Sequence, residues 1–410
     1  MEDINQFSRV INDGGRRLNK TVLLYPVVFL VAMASGMSIL GLIFFAKNVL
    51  GASPGQVGVL SATWSVFYVC GCFYSRHLSA TLPSRYSILA ATFMSFFSIG
   101  MIFVVQSLFW SFVFYAIYGL ALSLFWPVVM GWISSGLEGR RFGRVMGWFN
   151  FSWSIGSIIS PVVAGWLEDM GNSFALRGGA FLFFVAACLV VIGIFMIPDL
   201  SRKIYVPPRP LEMQKHPAAG TFLRYPAWLS VFASFFLIGT IITVISLAAG
   251  DDLDVNKKTV GIFFLIRGLT MSSTLVFMGR VSWWHFRGNQ MVIGASVGVV
   301  AAVLLACTRS PVMIGCIMLI VGVITAQGYT NSLFHGVSGV QVKTWRMAIH
   351  EMILNAGYIL GCVSGGIAYG VFGITFAYLI SAVIFIINIL VIGILLNVMR
   401  RREFNQGRLS

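Results

Sequence analysis

The sequence predicts an all-α membrane protein with twelve transmembrane helices in two pseudo-symmetric six-helix bundles. Composition, the spacing of apolar segments and an internal repeat each lead there. Of the 410 residues, 58% are hydrophobic and 10% charged, with a mean hydropathy of +0.88. A water-soluble chain of this length carries roughly a quarter charged residues. A net charge of +15 would suit nucleic acid in a soluble protein. In a membrane protein it marks basic cytoplasmic loops, so no nucleic-acid partner is expected.

Apolar segments fall at 22–46, 56–75, 86–105, 110–134, 145–167, 177–197, 225–249, 259–278, 290–307, 310–335, 347–370 and 373–398. Each is close to the roughly 20 residues that cross a bilayer. Residues 1–21 are polar and lack the apolar core of a signal peptide, so the first span is expected to be retained. Two bundles, 22–197 and 225–398, are then joined by a cytoplasmic linker at 198–224 that holds Arg202, Lys203, Arg209, Lys215 and Arg224. A cytoplasmic tail follows at 399–410. With the N-terminus inside, 22 of the 28 Lys and Arg lie on inside segments and 5 on outside loops. That bias places both termini in the cytoplasm of a multi-pass protein in a bacterial cell (inner) membrane. Lipid surrounds it, and a monomer is expected.

The halves resemble each other. Tyr25-Pro26 opens span one as Tyr225-Pro226 opens span seven. Val57-Gly58 recurs 203 positions later as Val260-Gly261, and Gly119 with Ser135-Gly136 recurs as Gly322 with Ser338-Gly339. A near-constant offset in register with the spans indicates duplication. Two parallel six-helix repeats place a solute site near the midplane between them.

Span eleven carries Glu351, Asn355, Tyr358 and Cys362 at spacings of four, three and four, on one helical face. A carboxylate facing lipid costs several kcal/mol, so this face should look into protein or a watery cavity. Gly357, Gly361, Gly365 and Gly366 let a neighbouring helix approach. Arg267 lies about nine residues into span eight, near mid-bilayer at about 1.5 Å per residue. A buried guanidinium needs a partner. Arg267 and Glu351 are therefore expected to face one cavity and to pair there, either in a substrate and coupling site or as a static packing bridge. Glu351 is only about five residues into its span, so the cavity mouth is the other placement for it. His350 beside it turns away on the helical wheel, toward packing.

Gln327, Asn331 and His335 recur every four residues on span ten, which suits either a substrate path or interhelical hydrogen bonding. Trp126, in the first-half counterpart of that span, suits core packing or a planar ligand. Asn150 and Trp153 on span five and Trp64 and Tyr68 on span two complete a wall of aromatic and neutral polar groups. Asn150 stands 201 positions before Glu351. Such a lining fits an amphipathic or weakly anionic solute. The six cysteines lie in apolar segments without metal-ligand spacing, and nucleotide-binding loops and nucleophile triads are absent. No enzyme activity, metal or cofactor is expected.

At this level the chain resembles the major facilitator superfamily over nearly its whole length. In span five Gly147, Gly156, Ser160-Pro161 and Ala164-Gly165 are similar to the family's antiporter signature, with Ser160 and Ala164 where the family has glycines. The resemblance implies export and a tight bend of span five against span eight. The family's basic gating loops have degraded counterparts here. His77 to Arg85, beside Arg76, has Ala80 in place of the gating Asp, and Gly279 to Trp283, with Arg280 and Arg287, has Trp283 there. The family's span-four arginine is absent from Tyr115–Gly119. The expectation is a gradient-driven transporter, with proton-coupled efflux of a small organic solute by alternating access as the first reading. Import of a sugar or organic acid is the second, and a non-transporting receptor or assembly factor on the same scaffold the third.

Overall fold

The computed structural model describes residues 20–81, 83–134, 139–196, 222–338 and 343–406. All regular structure among them is helical. In order the helices are α1 (Lys20–Asn48), α2 (Pro54–Thr81), α3 (Ser84–Val105), α4 (Leu108–Ser134), α5 (Gly139–Met170), α6 (Phe174–Met196), α7 (Arg224–Ala248), α8 (Lys257–Arg280), α9 (Asn289–Cys307) and α10 (Pro311–Val337). The last element, Lys343–Gln406, is two helices run together, α11 (343–372) and α12 (374–406). They part at Gly373, whose φ of 80° and ψ of −180° suit only glycine.

Ten elements are long and apolar enough to cross a membrane, among them the 53-residue stretch Arg346–Val398. At about 1.5 Å per residue that stretch is some 80 Å long, enough for two crossings of a 30 Å hydrocarbon core. Helix α5 falls outside the ten because Asn150, its serines and Pro161 lower the hydropathy of the uncharged stretch between Arg144 and Glu168. Its 32 residues nevertheless reach across. The twelve expected spans all lie on these helices, which mostly extend a few residues beyond each apolar stretch. Most of the linker 198–224, the N-terminal segment and the end of the tail lie outside the described residues.

The helices alternate in direction, so α1 starts and α12 ends at one face of the bundle, called here the terminal face; the opposite is the far face. Within each half the packing repeats. Helix α2 lies on α4 as α8 lies on α10, and α1 lies on α5 as α7 lies on α11. The duplication extends to single atoms. A Cβ on Gly119 would come within 3 Å of the Trp64 carbonyl, and one on Gly322 within 3 Å of the Arg267 carbonyl. Gly156 meets the Phe29 carbonyl in the same way that Gly357 meets that of Phe232. Each residue is 201 or 203 positions from its counterpart. Small residues at these points let backbones touch, as membrane helices require in the absence of a hydrophobic force between them.

Candidate functional site

The halves meet along two seams, α2 with α11 and α5 with α8, and the repeat relates these too. At the far face Gly58 packs against the Cys362 carbonyl and Gly366 against that of Pro54. Across the molecule Gly261 packs against the Pro161 carbonyl and Gly165 against that of Lys257. In each case a Cβ would come within 3 Å. The span-five pattern is therefore a packing device. Gly165 and Pro161 meet α8, Gly156 meets α1, Ser160 is buried against Gly36, Ala164 is buried, and Gly147 faces open space.

Polar groups reinforce the far-face closure. Asp169, at the end of α5, accepts the backbone N–H of Lys257 at 3.0 Å and of Lys258 at 3.1 Å. It thus caps the first turn of α8 from the other half, where the helix dipole favours negative charge. Lys257 Nζ reaches back to the Glu168 carbonyl at 3.0 Å and to Asn172 at 2.8 Å. Glu168 itself is buried and accepts the N–H of Ser173 and Ala175, at the start of α6. On the other side Lys47 pairs with Asp251 at 2.7 Å and donates to the Leu247 carbonyl at 2.6 Å. Further toward the terminal face the α5–α8 seam loosens: a Cβ on Gly268 would meet Ile158 only at an ordinary 3.4 Å. Asp169→Ala should remove about 1 kcal/mol of capping from the far-closed state. We expect hydrogen exchange of the 257–260 amides to rise about fivefold; unchanged exchange would show the clasp to be idle.

At mid-depth the α2–α11 seam holds one cross-half hydrogen bond, from Ser65 Oγ to Asn355 Oδ1 at 2.6 Å, with both residues buried. Asn355 Nδ2 donates to the Glu351 carbonyl. Trp64 lies edge-on to Tyr358 at 5.9 Å and beside Tyr68 at 6.1 Å. The sequence singled out Trp64, Tyr68, Asn355 and Tyr358, and the fold brings them together. Ser65 was not singled out, because a lone serine in a span carries no signal.

Arg267 and Glu351 do not form the expected ion pair. Arg267 lies within electrostatic reach of the Tyr358 hydroxyl, whereas Glu351 acts on Tyr68 and Tyr329. Glu351 is seven residues before Tyr358, about 10 Å along the helix axis. Both charges are closely surrounded by protein yet keep accessible surface, as side chains lining a concave wall do. Neither has a bonded counter-charge among the described residues. Helix α11 begins at Lys343, which sets Glu351 eight residues in rather than five.

The polar face of α10 turns elsewhere than toward the seam. Gln327 donates to the Gln290 carbonyl and Gln290 to Asn331 Oδ1, both between α9 and α10, while Asn331 donates to the Gln327 carbonyl within α10. Beside them a cavity of about 10 Å³, lined by Ser230, Ser234, Gln327, Asn331 and Asn388, lies within the second half. That volume holds about one water. His335 is buried beside Phe286 and Phe334. Interhelical bonding thus engages Gln327 and Asn331, whereas neither ring nitrogen of His335 has a hydrogen-bond partner among the described residues. His350 is likewise structural: its Nδ1 bonds Ser332 Oγ at 2.7 Å and its ring meets Tyr329. Trp126 is part-buried against Phe125. Asn150 and Trp153 are exposed on α5. Of the gating-loop arginines, Arg85 lies over the Tyr86 ring, Arg280 and Arg287 are exposed, and the side chain of Arg76 lies outside the described residues.

Two repeated helical bundles, clasped at one face and lined at mid-depth by aromatic and charged groups, define a membrane carrier for a small solute. The chain belongs to the major facilitator superfamily, whose model matches residues 24–340. Among curated proteins it is 25% identical over 186 residues to the glucose-6-phosphate exchanger SLC37A2 of Xenopus laevis, covering 43% of this chain and 36% of that one. It is 29% identical over 148 residues to the exchanger SLC37A1 of Mus musculus, covering 34% and 27%. The matches span about a third of the length of these relatives. Among solved structures the nucleoside transporter NupG superposes with a TM-score of 0.71 at 14% identity, over 92% of this chain and 99% of that one. A POT family transporter with a bound thioalcohol-conjugated peptide superposes at 0.68 with 13% identity, over 91% and 95%. At such identities the likeness is one of fold.

Proposed function

We propose that this carrier moves a small organic solute by proton-coupled alternating access, with Glu351 as the proton site. The observation that carries the reading is Glu351 itself: an accessible carboxylate on the wall between the halves, free of any bonded cation among the described residues. Such a group can be charged while the cavity is wet and protonated when it closes. The far-face clasp supports a state open toward the terminal face, which the Lys and Arg distribution makes cytoplasmic. The membrane is then the cell (inner) membrane. Efflux is the first direction, on the span-five pattern. Uptake or exchange of a sugar derivative is the second, favoured by the names of the curated relatives. Both directions use the same site. The test compares small molecules in cells and medium for wild-type and deletion strains. A compound enriched in the medium only with wild type establishes efflux and names the solute, and enrichment inside the cells establishes uptake. No difference across growth conditions would favour a non-transporting role.

A further inference from the structure

Of the buried donors without a hydrogen-bond partner among the described residues, three stand out at the middle of the molecule. Arg267 Nε, Trp64 Nε1 and the Tyr358 hydroxyl are each buried and each without a hydrogen-bond partner. They belong together. Residues 64 and 267 are 203 positions apart, the offset of the repeat, and each backs its carbonyl onto an equivalent glycine, Gly119 or Gly322. Trp64 and Arg267 therefore stand at the same depth on the two halves; Tyr358 meets the Trp64 ring at 5.9 Å and lies within electrostatic reach of Arg267. The Trp64 N–H comes near the Tyr358 oxygen without the alignment of a hydrogen bond.

Strong acceptors are missing at this level among the described residues, the Tyr358 hydroxyl having only the Cys362 sulfur beside it. Asn355 Oδ1 is already taken by Ser65, and Glu351 lies about 10 Å nearer the terminal face. Buried donors left unmade are costly, and a guanidinium the more so. A planar cation with its donors unserved matches the two oxygens of a carboxylate or phosphate. The neighbouring Trp64 ring offers an apolar surface rather than further charge.

We infer that Arg267, Tyr358 and Trp64 form an anion subsite for the transported solute, an organic anion with an apolar or planar body. The carboxylate or phosphate sits on the Arg267 guanidinium and accepts from the Tyr358 hydroxyl, while the body lies against Trp64. The inference rests on the carrier reading and adds the solute's chemistry to it. A neutral solute would leave the cation unpaired, and a cationic one would be repelled.

Calorimetric titration of the full-length protein in lipid nanodiscs tests this, with benzoate, phenyl phosphate and neutral benzyl alcohol as probes. At least one anion should bind tenfold or more tightly than benzyl alcohol, and the preferred anion identifies the group recognised. Arg267→Gln should weaken that anion about 100-fold. Tyr358→Phe, which keeps the ring and its packing, should weaken it about tenfold, as the loss of one hydrogen bond to a charge predicts. Equal affinity for benzyl alcohol, no anion binding, or wild-type affinity in both Arg267→Gln and Tyr358→Phe would overturn the subsite. The carrier reading is judged separately by the metabolite comparison, so a neutral solute found there would remove the subsite and leave the carrier standing.

Discussion

Replacing Gly58 with valine should hold the halves apart at the far face and stop transport. A Cβ at this position would come within 3 Å of the Cys362 backbone carbonyl, with the Gly366 backbone close behind it. Neither neighbour is the end of a flexible side chain, so the helices themselves must separate. Overpacking of this kind costs about 1–3 kcal/mol, a shift of roughly fivefold to 150-fold in the balance between closed and open far faces. Gly261→Val should do the same on the other seam, because Gly261 meets the Pro161 carbonyl through the equivalent contact. The glycines that pack each half internally, Gly119, Gly156, Gly322 and Gly357, are untouched, so both variants should still fold. Hydrogen exchange should rise about tenfold at residues 54–60 and 362–368 in Gly58→Val, and at 161–166 and 257–263 in Gly261→Val. Normal transport with unchanged exchange would mean that closing this face is no step in the cycle.

The fold was legible because its signals are long and redundant. Twelve apolar segments, the basic bias of alternate loops and a repeat offset of 203 positions are spread over the whole chain, so no single residue had to carry them. The site was less so. The face of Glu351, Asn355, Tyr358 and Cys362 is a local periodicity, and periodicity says which residues share a face but not what that face meets. The same spacing in Gln327, Asn331 and His335 pointed equally to a substrate path and to interhelical bonding, and the first two bond α9. The Arg267–Glu351 pairing failed for a related reason: the need of a buried charge for a partner was set above depth along the two helices, which already offered Glu351 a place nearer the cavity mouth. The signal for the better grouping was present. Carrying the 203-residue offset forward from Trp64 lands on Arg267, which marks the two as equivalent before any coordinates. The Asp169 cap on α8 had no such signal, since an acidic residue in a loop after a span is ordinarily a solvated charge.

Glu351→Gln should uncouple the carrier while leaving its exchange of solute intact. Glutamine keeps the shape and hydrogen-bonding ends of the carboxyl but takes up no proton, so any step that requires one to move with the solute is lost. The backbone carbonyl of residue 351, which accepts from Asn355, is unaffected, and the Ser65–Asn355 bond across the seam should persist. In proteoliposomes a wild-type carrier that couples one proton to each solute can build a solute ratio approaching tenfold per unit of pH difference, since one unit is worth about 1.4 kcal/mol. In the variant that ratio should fall to one, whichever side is acid. Exchange of labelled for unlabelled solute needs only binding and rocking, and should stay within about threefold of wild type. The two measurements separate the possible failures. Loss of both would make Glu351 a structural or binding residue, because a damaged site cannot exchange either. Retention of full uphill transport would take Glu351 out of the coupling mechanism and leave the energy source to a group elsewhere on the wall. Loss of accumulation with exchange preserved is the one pattern that a proton carried on this carboxylate produces.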